Sequence, residues 1–280
     1  MSVPEKLKNL VAQMPDPDGR GMYTENIDKE KIERAVAEIH QGGPEFVAGL
    51  VDMLGEPGTA ENVKPHYALH CLANHVLVVK DESGRRQLVE VLCRKLGGDD
   101  VATHNKRYLC ELLRWSGRGE ACAALGKVLD DEDLVEPAAM ALVAIRDGAA
   151  EQFRAALPKT NGKCRLNCIH GLAALADSGS AASLRESLAD PDREVRLAAG
   201  HGLALIADAR DADLLLKAAD GAEGWERIQQ TQNCLILAER LTAAGKKAEA
   251  AKVYTRLRDS RKDPSEKHIR EAAEKALAAA

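Results

Sequence analysis

The tetrapeptide His170-Gly171-Leu172-Ala173 returns in this chain as His201-Gly202-Leu203-Ala204, 31 positions further along. Identity over four residues at this interval indicates a structural repeat, because the repeats of stacked proteins are about 20–45 residues long. A repeat of this kind covers its apolar face only by packing against its neighbours. The tetrapeptide therefore predicts a stack of repeated units.

The second copy of the repeat carries the signals of an amphipathic helix. Asp190 is a candidate N-cap, and Pro191 suits the first helical position because its missing N–H is no loss there. Small and apolar side chains then recur with the period of about 3.6 residues that predicts one buried helix face. The residues of this face are Val195, Ala199, Gly202, Leu203 and Ile206.

Weaker copies of the same helix precede it. Stepping back by the same interval places Cys164 and Cys168 at core positions, where cysteine acts as a small apolar side chain. The same step leads from Ile206 to Leu175, and two further steps of 30 residues lead to Ile145 and then to Trp115. Trp115 is therefore also predicted to be buried. A shorter, leucine-bearing helix precedes each copy, and the chain has no long alternation of Val, Ile and Thr. We therefore expect pairs of helices and no sheet.

The stretch from Asp190 to Ala207 has an Asp-Pro turn, a Val-Arg pair, paired alanines and a Leu-x-x-Ile ending. In these features it resembles the HEAT-repeat family, particularly bacterial HEAT-like repeats of the phycobilisome-lyase type. The resemblance extends over about residues 44–220. It implies an all-α fold, a right-handed α-solenoid of stacked antiparallel helix pairs, in which the second helix of each pair lines the concave side.

Three parts of the chain are predicted. Residues 1–43 contain N-terminal helices, one over Ile27 to His40, and a loop around Pro15 to Gly21; residues 44–220 form the repeat array. Residues 221–280 form a helical cap, which a solenoid needs at its end. Within the cap, a glycine turn at Gly245 and the spacing of Ala250, Tyr254 and Leu257 resemble a tetratricopeptide hairpin.

The composition favours a protein that does not bind nucleic acid. The 39 Lys and Arg are outnumbered by 44 Asp and Glu, for a net charge of −5. Nucleic-acid binders usually concentrate positive charge on one face, because phosphate contacts dominate their affinity. Here the basic residues between Arg85 and Arg118 alternate with acidic ones, which is typical of a solvated surface. We expect another protein or a peptide as the partner.

The chain is predicted to be cytoplasmic and to lie outside membranes. The first seven residues, MSVPEKL, include no apolar signal region, and no stretch is long enough to span a bilayer. The cysteines number seven and mostly occupy apolar helical stretches without a Cys-x-x-Cys pair. Buried free thiols in a reducing compartment are the simplest explanation.

One position of the repeat collects side chains that bind soft metals. Its members in the alignment are His70, Cys110, Met140, His170 and His201. Such a column could hold a soft metal or haem iron, and His66 with His70 is a weaker metal candidate because i, i+4 residues share a helix face. Neighbouring helices lie about 8–10 Å apart, whereas zinc ligands lie about 2 Å from the ion. We therefore expect no metal and no cofactor, and polar residues lining a groove.

The same helices carry apolar side chains outside the core face. Leu197 and Leu205 lie on the side of His201, and Leu166 and Met140 occupy related positions. These side chains are either buried between neighbouring helices or line a groove for a helix or extended peptide of a partner. Trp225 is a candidate anchor. The prediction is a non-enzymatic scaffold whose concave face binds a partner through Met140, Leu166, His170, Leu197, His201, Leu205 and Trp225.

Two alternatives involve chemistry. The first is metal or haem capture by the column, and the second is an enzyme. The chain lacks a Gly-x-Ser-x-Gly elbow and a glycine-rich phosphate loop. HEAT-like folds include DNA glycosylases that excise alkylated bases, and the resemblance would require a site made of Arg107, Glu111, Arg114 and Trp115. The acidic balance and the predicted core position of Trp115 argue against this function.

Overall fold

The computed structural model describes residues 3–16 and 27–279, and the regular structure of these residues is entirely helical. Most of the predicted loop, residues 17–21, lies outside the described residues. The described helices are α1 (Glu5–Val11), α2 (Lys29–Gln41), α3 (Gly43–Asp52), α4 (Ala60–Val78), α5 (Glu82–Leu96), α6 (Thr103–Ser116), α7 (Cys122–Gly126), α8 (Val135–Ile145), α9 (Ala149–Ala156), α10 (Gly162–Leu175), α11 (Ala181–Ser187), α12 (Arg193–Ile206), α13 (Ala212–Gly221), α14 (Gly224–Ala243), α15 (Lys247–Ser260) and α16 (Lys267–Ala279). The prediction of an all-α fold is confirmed.

The helices form two compact units, Met1–Ala156 and Leu157–Ala280. In the first unit α2, α4, α6 and α8 stack in one layer, and α3, α5, α7 and α9 stack in the other. In the second unit α10, α12 and α14 stack, α11 packs on α12, and α13 packs on α14. Each unit thus has the layered packing of helix pairs that defines an α-solenoid.

The repeat seen in the sequence governs the second unit. Helices α10 and α12 each have 14 residues, and His170 and His201 are the ninth residue of their helices. Both helices end at an alanine in the left-handed conformation, Ala176 with φ 49° and Ala207 with φ 57°. Helix α14 begins at Gly224, and the step from the start of α12 at Arg193 equals the step from α10 to α12. The two histidines are therefore structurally equivalent, as the repeated tetrapeptide predicts.

The N-cap of α12 is Asp192, so the prediction of Asp190 was wrong. The Asp192 carboxylate accepts a hydrogen bond from the Glu194 N–H at 2.8 Å. Asp190 stabilises the preceding turn, where its carboxylate accepts from the Asp192 N–H at 2.9 Å. Pro191 lies outside the helix, because this additional turn separates it from the first helical residue.

The predicted core face of the second unit is buried. Val195, Ala199 and Leu203 are buried, and so are Cys164 and Cys168 at the equivalent positions of α10. Among the predicted residues of this face on α12, only Ile206, at the end of the helix, is half-buried. The seven cysteines all lie within the described residues and form no disulfide bond, and they are buried except for two half-buried ones, Cys71 and Cys93.

Gly202 occupies a core position where a larger side chain would be too close to its neighbours. A Cβ atom at that position would lie 2.9 Å from a Leu184 methyl and 3.2 Å from the Ala173 Cβ. These distances are shorter than ordinary carbon contacts of about 3.5–4.0 Å. The glycine therefore allows α12 to approach both α10 and α11.

Trp115 is exposed, so its predicted core position was wrong. Its exposed fraction is 44%, whereas Cys110, predicted for the exposed column, is fully buried. Helices α6, α8, α10 and α12 end at residues 116, 145, 175 and 206, so the step from α6 to α8 is one residue shorter than the sequence alignment assumed. One residue rotates a helical position by about 100°, which exchanges a core position for a surface one. With the ends aligned, Glu111 is the residue of α6 equivalent to His170.

Arg196 joins successive repeats of the second unit. Its Nε and Nη2 atoms donate to the two carboxylate oxygens of Glu226 on α14, both at 2.7 Å. Its Nη1 donates to the carbonyl oxygens of Asp190 and Pro191, at 2.8 and 3.0 Å, in the turn before α12. Paired hydrogen bonds from a guanidinium to a carboxylate fix direction as well as distance, so this side chain sets how α14 lies against α12.

The same arginine recurs one repeat away on both sides. Arg165 on α10 donates to the Asp190 carboxylate at 3.0 Å and to the Leu157 carbonyl oxygen at 3.5 Å. Arg227 on α14 donates to the Glu266 carboxylate at 2.7 and 3.1 Å, and it also reaches carbonyl groups at the end of α13. The three equivalent arginines therefore link α10 to the turn before α12, α12 to α14, and α14 to the segment before α16.

Candidate binding face

The second unit presents one uncharged surface. It is formed by the fifth, ninth and thirteenth residues of α10, α12 and α14, and we call it the uncharged face. Its members are Leu166, His170, Ala174, Leu197, His201, Leu205, Ile228, Gln232 and Ile236, and each is exposed or half-buried. These nine positions contain no Asp, Glu, Lys or Arg, although such residues make up 30% of the chain. Depletion of charge is characteristic of the centre of protein interfaces.

Five of the predicted binding residues belong to this face. Leu166, Leu197 and Leu205 are half-buried, which leaves part of each side chain open to a partner. His170 is exposed and His201 is half-buried. The structure thus brings these five residues together on adjacent helices.

The two histidines interact electrostatically. Partial burial lowers the pKa of His170, the neighbouring His201 lowers it further, and Glu194 opposes both effects. His170 is therefore neutral at pH 7. A neutral imidazole both donates and accepts hydrogen bonds, so it can contact a partner without the cost of burying a charge.

Trp225 extends the uncharged face at one corner. It is the second residue of α14 and is 57% exposed. Ile228, 59% exposed on the same helix, lies one repeat after Leu197 and occupies the equivalent position. Sequence reasoning missed Ile228, although the interval between the two histidines would have found it. Together these side chains give α14 the largest exposed apolar groups of the face.

Buried amides fix the spacing of α12 and α14 beneath the face. Gln230 Nε2 donates to the Arg196 carbonyl oxygen at 3.2 Å, and Asn233 Nδ2 donates to the Leu197 carbonyl oxygen at 3.5 Å. A Cβ atom at Gly200 would collide with the Gln230 side chain. Glycine at this position therefore makes room for the amides that hold the two helices together.

Met140 lies in the first unit, on α8, and is 48% exposed. The other predicted binding residues lie in the second unit. Met140 occupies the position in α8 that His170 and His201 occupy in their helices, since the three residues are equally far from their helix ends. The predicted repeat position of Met140 is therefore correct, and its participation in a shared binding face stays a prediction.

Aromatic and imidazole rings meet on α4 and α6 of the first unit. His66 stacks on Tyr108 with ring centroids 4.0 Å apart, and His70 contacts Trp115 edge-on at 5.0 Å. Burial lowers the pKa of both histidines; for His66, the neighbouring His70 lowers it further and Glu111 opposes the decrease. The rings partly cover the histidines that were the weaker metal candidates.

The arrangement of these histidines does not assemble a metal site. Within residues 3–16 and 27–279, no group of three or more His, Cys, Asp or Glu side chains is positioned to hold an ion. Cys110 lies in the core and not in the histidine column. The column interpretation therefore loses one of its soft ligands.

The residues required for a glycosylase-like site lie together on α6. Arg107, Glu111, Arg114 and Trp115 are all exposed. The objection that Trp115 is a core residue is therefore removed, while the net charge of −5 remains.

No helix among the described residues combines the length and apolar character that crossing a bilayer requires.

Comparison with known proteins agrees with the repeats seen in the structure. Residues 150–236, from α9 into α14, match the family described as HEAT repeats. No curated protein matches the chain. Similar solved structures include an engineered protein, 19% identical over 98% of this chain and 96% of that chain, with a TM-score of 0.29. Another is a designed armadillo repeat protein in complex with the peptide (KR)4, 17% identical over 99% and 100% of the two chains, with a TM-score of 0.29. The stretch 150–236 is therefore similar to HEAT repeats.

Proposed function

We propose that this protein is a non-enzymatic scaffold that binds a peptide or helix of a partner protein on the uncharged face. The supporting observation is the absence of charged side chains at three repeat positions on each of α10, α12 and α14. Apolar groups exposed in a continuous patch are typical of interaction sites, whereas single exposed apolar residues are ordinary. The HEAT-like repeats of residues 150–236 support a general binding role.

Finer features of the proposal come from the sequence. We infer that the uncharged face lines the concave side of a right-handed array, that the repeats are of the bacterial phycobilisome-lyase type, and that the protein acts in the cytoplasm without a cofactor. The pattern at Gly245, Ala250 and Tyr254 supports a tetratricopeptide-like hairpin in the cap. Met140 of the first unit stays a predicted partner-binding residue.

The test of the scaffold proposal places negative charge at the two histidines of the uncharged face. The variant His170→Glu with His201→Glu places two carboxylates on the face, and Val78→Glu is the control because Val78 is 77% exposed in the first unit. Each protein is used to retain partners from an extract of the source organism, which are then quantified by mass spectrometry. We expect a partner retained by the wild type and the control to be lost by the double variant. Retention of every partner by the double variant would refute this site.

A second candidate function is binding to duplex DNA. The exposed positions of Arg107, Arg114 and Trp115 on α6 favour it, and the excess of acidic residues opposes it. Phosphate contacts make such binding strongest at low salt. Absence of retention on immobilised duplex DNA at low ionic strength removes this candidate.

A further inference from the structure

We propose that the segment bound by the uncharged face is an amphipathic helix of about three turns, which lies across α10, α12 and α14 with an uncharged stripe against them. This inference rests on the proposed function and specifies the conformation and chemistry of the partner. It follows from the width of the face, from its length and from the residues of its central row.

The width of the face fits a helix. Two rows of apolar side chains border the face. One row consists of Leu166, Leu197 and Ile228, and the other consists of Ala174, Leu205 and Ile236. The rows lie eight residues apart along each helix, which is about 12 Å at a rise of 1.5 Å per residue. A helix with its side chains is about 10–12 Å wide, so it reaches both rows at once.

The length of the face sets the length of the bound helix. Packed helix axes lie about 8–10 Å apart, so α10 and α14 are separated by about 16–20 Å across α12. A helix covers this distance with about 11–13 residues, or about three turns. An apolar residue every three or four positions along it then meets a leucine or isoleucine on each of the three helices.

The central row decides the chemistry of the stripe. His170, His201 and Gln232 run between the two apolar rows and offer uncharged donors and acceptors. A charged partner residue buried over this row would lose its hydration without gaining an opposite charge, which is costly. Formal charges lie at the edge of the face, on Lys163 of α10 and on Arg193 and Glu194 of α12. Arg193 and Glu194 pair with each other at 2.7 Å. The stripe of the partner is therefore apolar, and its charges lie on the opposite side.

The experiment selects peptides without assuming their conformation. A display library of random peptides, long enough for four helical turns, is selected on the full chain and sequenced, and the same library is selected on Leu197→Asp with Ile228→Asp. A second variant, Gln232→Lys, changes one exposed side chain of the same face. It keeps the test informative if the Leu197→Asp with Ile228→Asp variant fails to fold. Circular dichroism and thermal melting of each variant verify folding.

We expect the enriched peptides to carry apolar residues at i, i+3 or i+4 and i+7, to have no charge within that stripe, and to gain helical content on binding. Their affinity should fall at least about tenfold for each folded variant, which corresponds to about 1.4 kcal/mol. Enriched peptides that depend on the face but have apolar residues at alternate positions or charges in the stripe would overturn the helix proposal alone. Peptides that bind the wild type and the folded variants equally would overturn both the helix proposal and the proposed function.

Discussion

Leu203 and Leu205 stand two residues apart on α12 and have opposite roles. Leu203 is fully buried in the core of the second unit, and Leu205 is half-buried on the uncharged face. Leu203→Ala removes buried methyl groups and leaves a cavity, so we expect the free energy of unfolding to fall by about 2–5 kcal/mol. Leu205→Ala should cost less than about 1 kcal/mol, because surface substitutions usually have small effects. Urea denaturation of both variants measures the difference, and equal losses would show that α12 is rotated from the orientation described.

We expect the central row of the uncharged face to make binding of the proposed partner dependent on pH. Because burial lowers the pKa of His170, this side chain is neutral at pH 7.5 and takes up a proton only below its ordinary value of 6.5. His201 adds repulsion to that proton and Glu194 attracts it. A partner that covers the row disfavours the charged form further, so protonation must oppose binding.

We therefore expect the affinity for a selected peptide to fall about tenfold or more between pH 7.5 and pH 5.0. The variant His170→Gln with His201→Gln should lose this dependence, because glutamine already occupies the third place of the row at residue 232. Fluorescence anisotropy with a labelled peptide measures both proteins. Unchanged affinity of the wild type across this range, or an equal decrease in the double variant, would contradict the role of the row.

The equivalence of the two histidines could be predicted from sequence, and the same interval of 31 residues leads from Leu197 to Ile228, which was nevertheless missed. His170 and His201 share a four-residue identity, which fixes their alignment. The helix that contains Ile228 shares no such motif with α12, and assigning residues from 221 onward to a cap removed it from the array. The structure identifies the equivalence independently, because the interactions of Arg227, which precedes Ile228, repeat those of Arg196, which precedes Leu197.

At the scale of the helix, the arginines that join successive repeats should do much to fix the alignment of neighbouring helices. Arg196→Lys keeps the charge but cannot form the paired hydrogen bonds to Glu226 and also reach two carbonyl oxygens. We expect this substitution to lower the free energy of unfolding by about 1–3 kcal/mol. Arg193→Lys is the matched control, since Arg193 is exposed and pairs with the adjacent Glu194 on its own helix.

Thermal and urea denaturation of the two variants provide the measurement. A loss for Arg193→Lys as large as that for Arg196→Lys would mean that positive charge, and not the geometry of the guanidinium, stabilises this part of the chain.

The sequence predicts that a helix is present more securely than it predicts how the helix is rotated about its own axis. The periodic apolar residues of α6 predict a helix, and α6 is indeed a helix over Thr103–Ser116. Its rotation depended on the offset assumed between α6 and α8, which is one residue longer than the offset between the two helix ends in the structure. The segment between α6 and α8 has a short helix and turns of its own, so its length does not follow the period of the second unit. This single residue is why Trp115 and Cys110 were assigned to each other's surroundings.

At the scale of the whole molecule, stability should be local. In stacked proteins each repeat contacts only its neighbours, so the stability is close to a sum of repeat and interface terms. Leu203→Ala should therefore increase amide hydrogen exchange in α10, α12 and α14, with much smaller changes in α4 and α5 of the first unit. Exchange measured by mass spectrometry resolves these helices, and a uniform increase along the chain would indicate a single cooperative core instead.

Methyl NMR of the full 30.1 kDa chain locates a bound peptide most directly. With labelled Ile and Leu methyl groups, titration of a peptide selected on the wild-type protein reports on both layers of the second unit. We expect the shift changes to concentrate on the leucines and isoleucines of the uncharged face, Leu166, Leu197, Leu205, Ile228 and Ile236. Changes concentrated instead on Leu184 of α11 and Leu214 of α13, in the other layer, would contradict binding at this face.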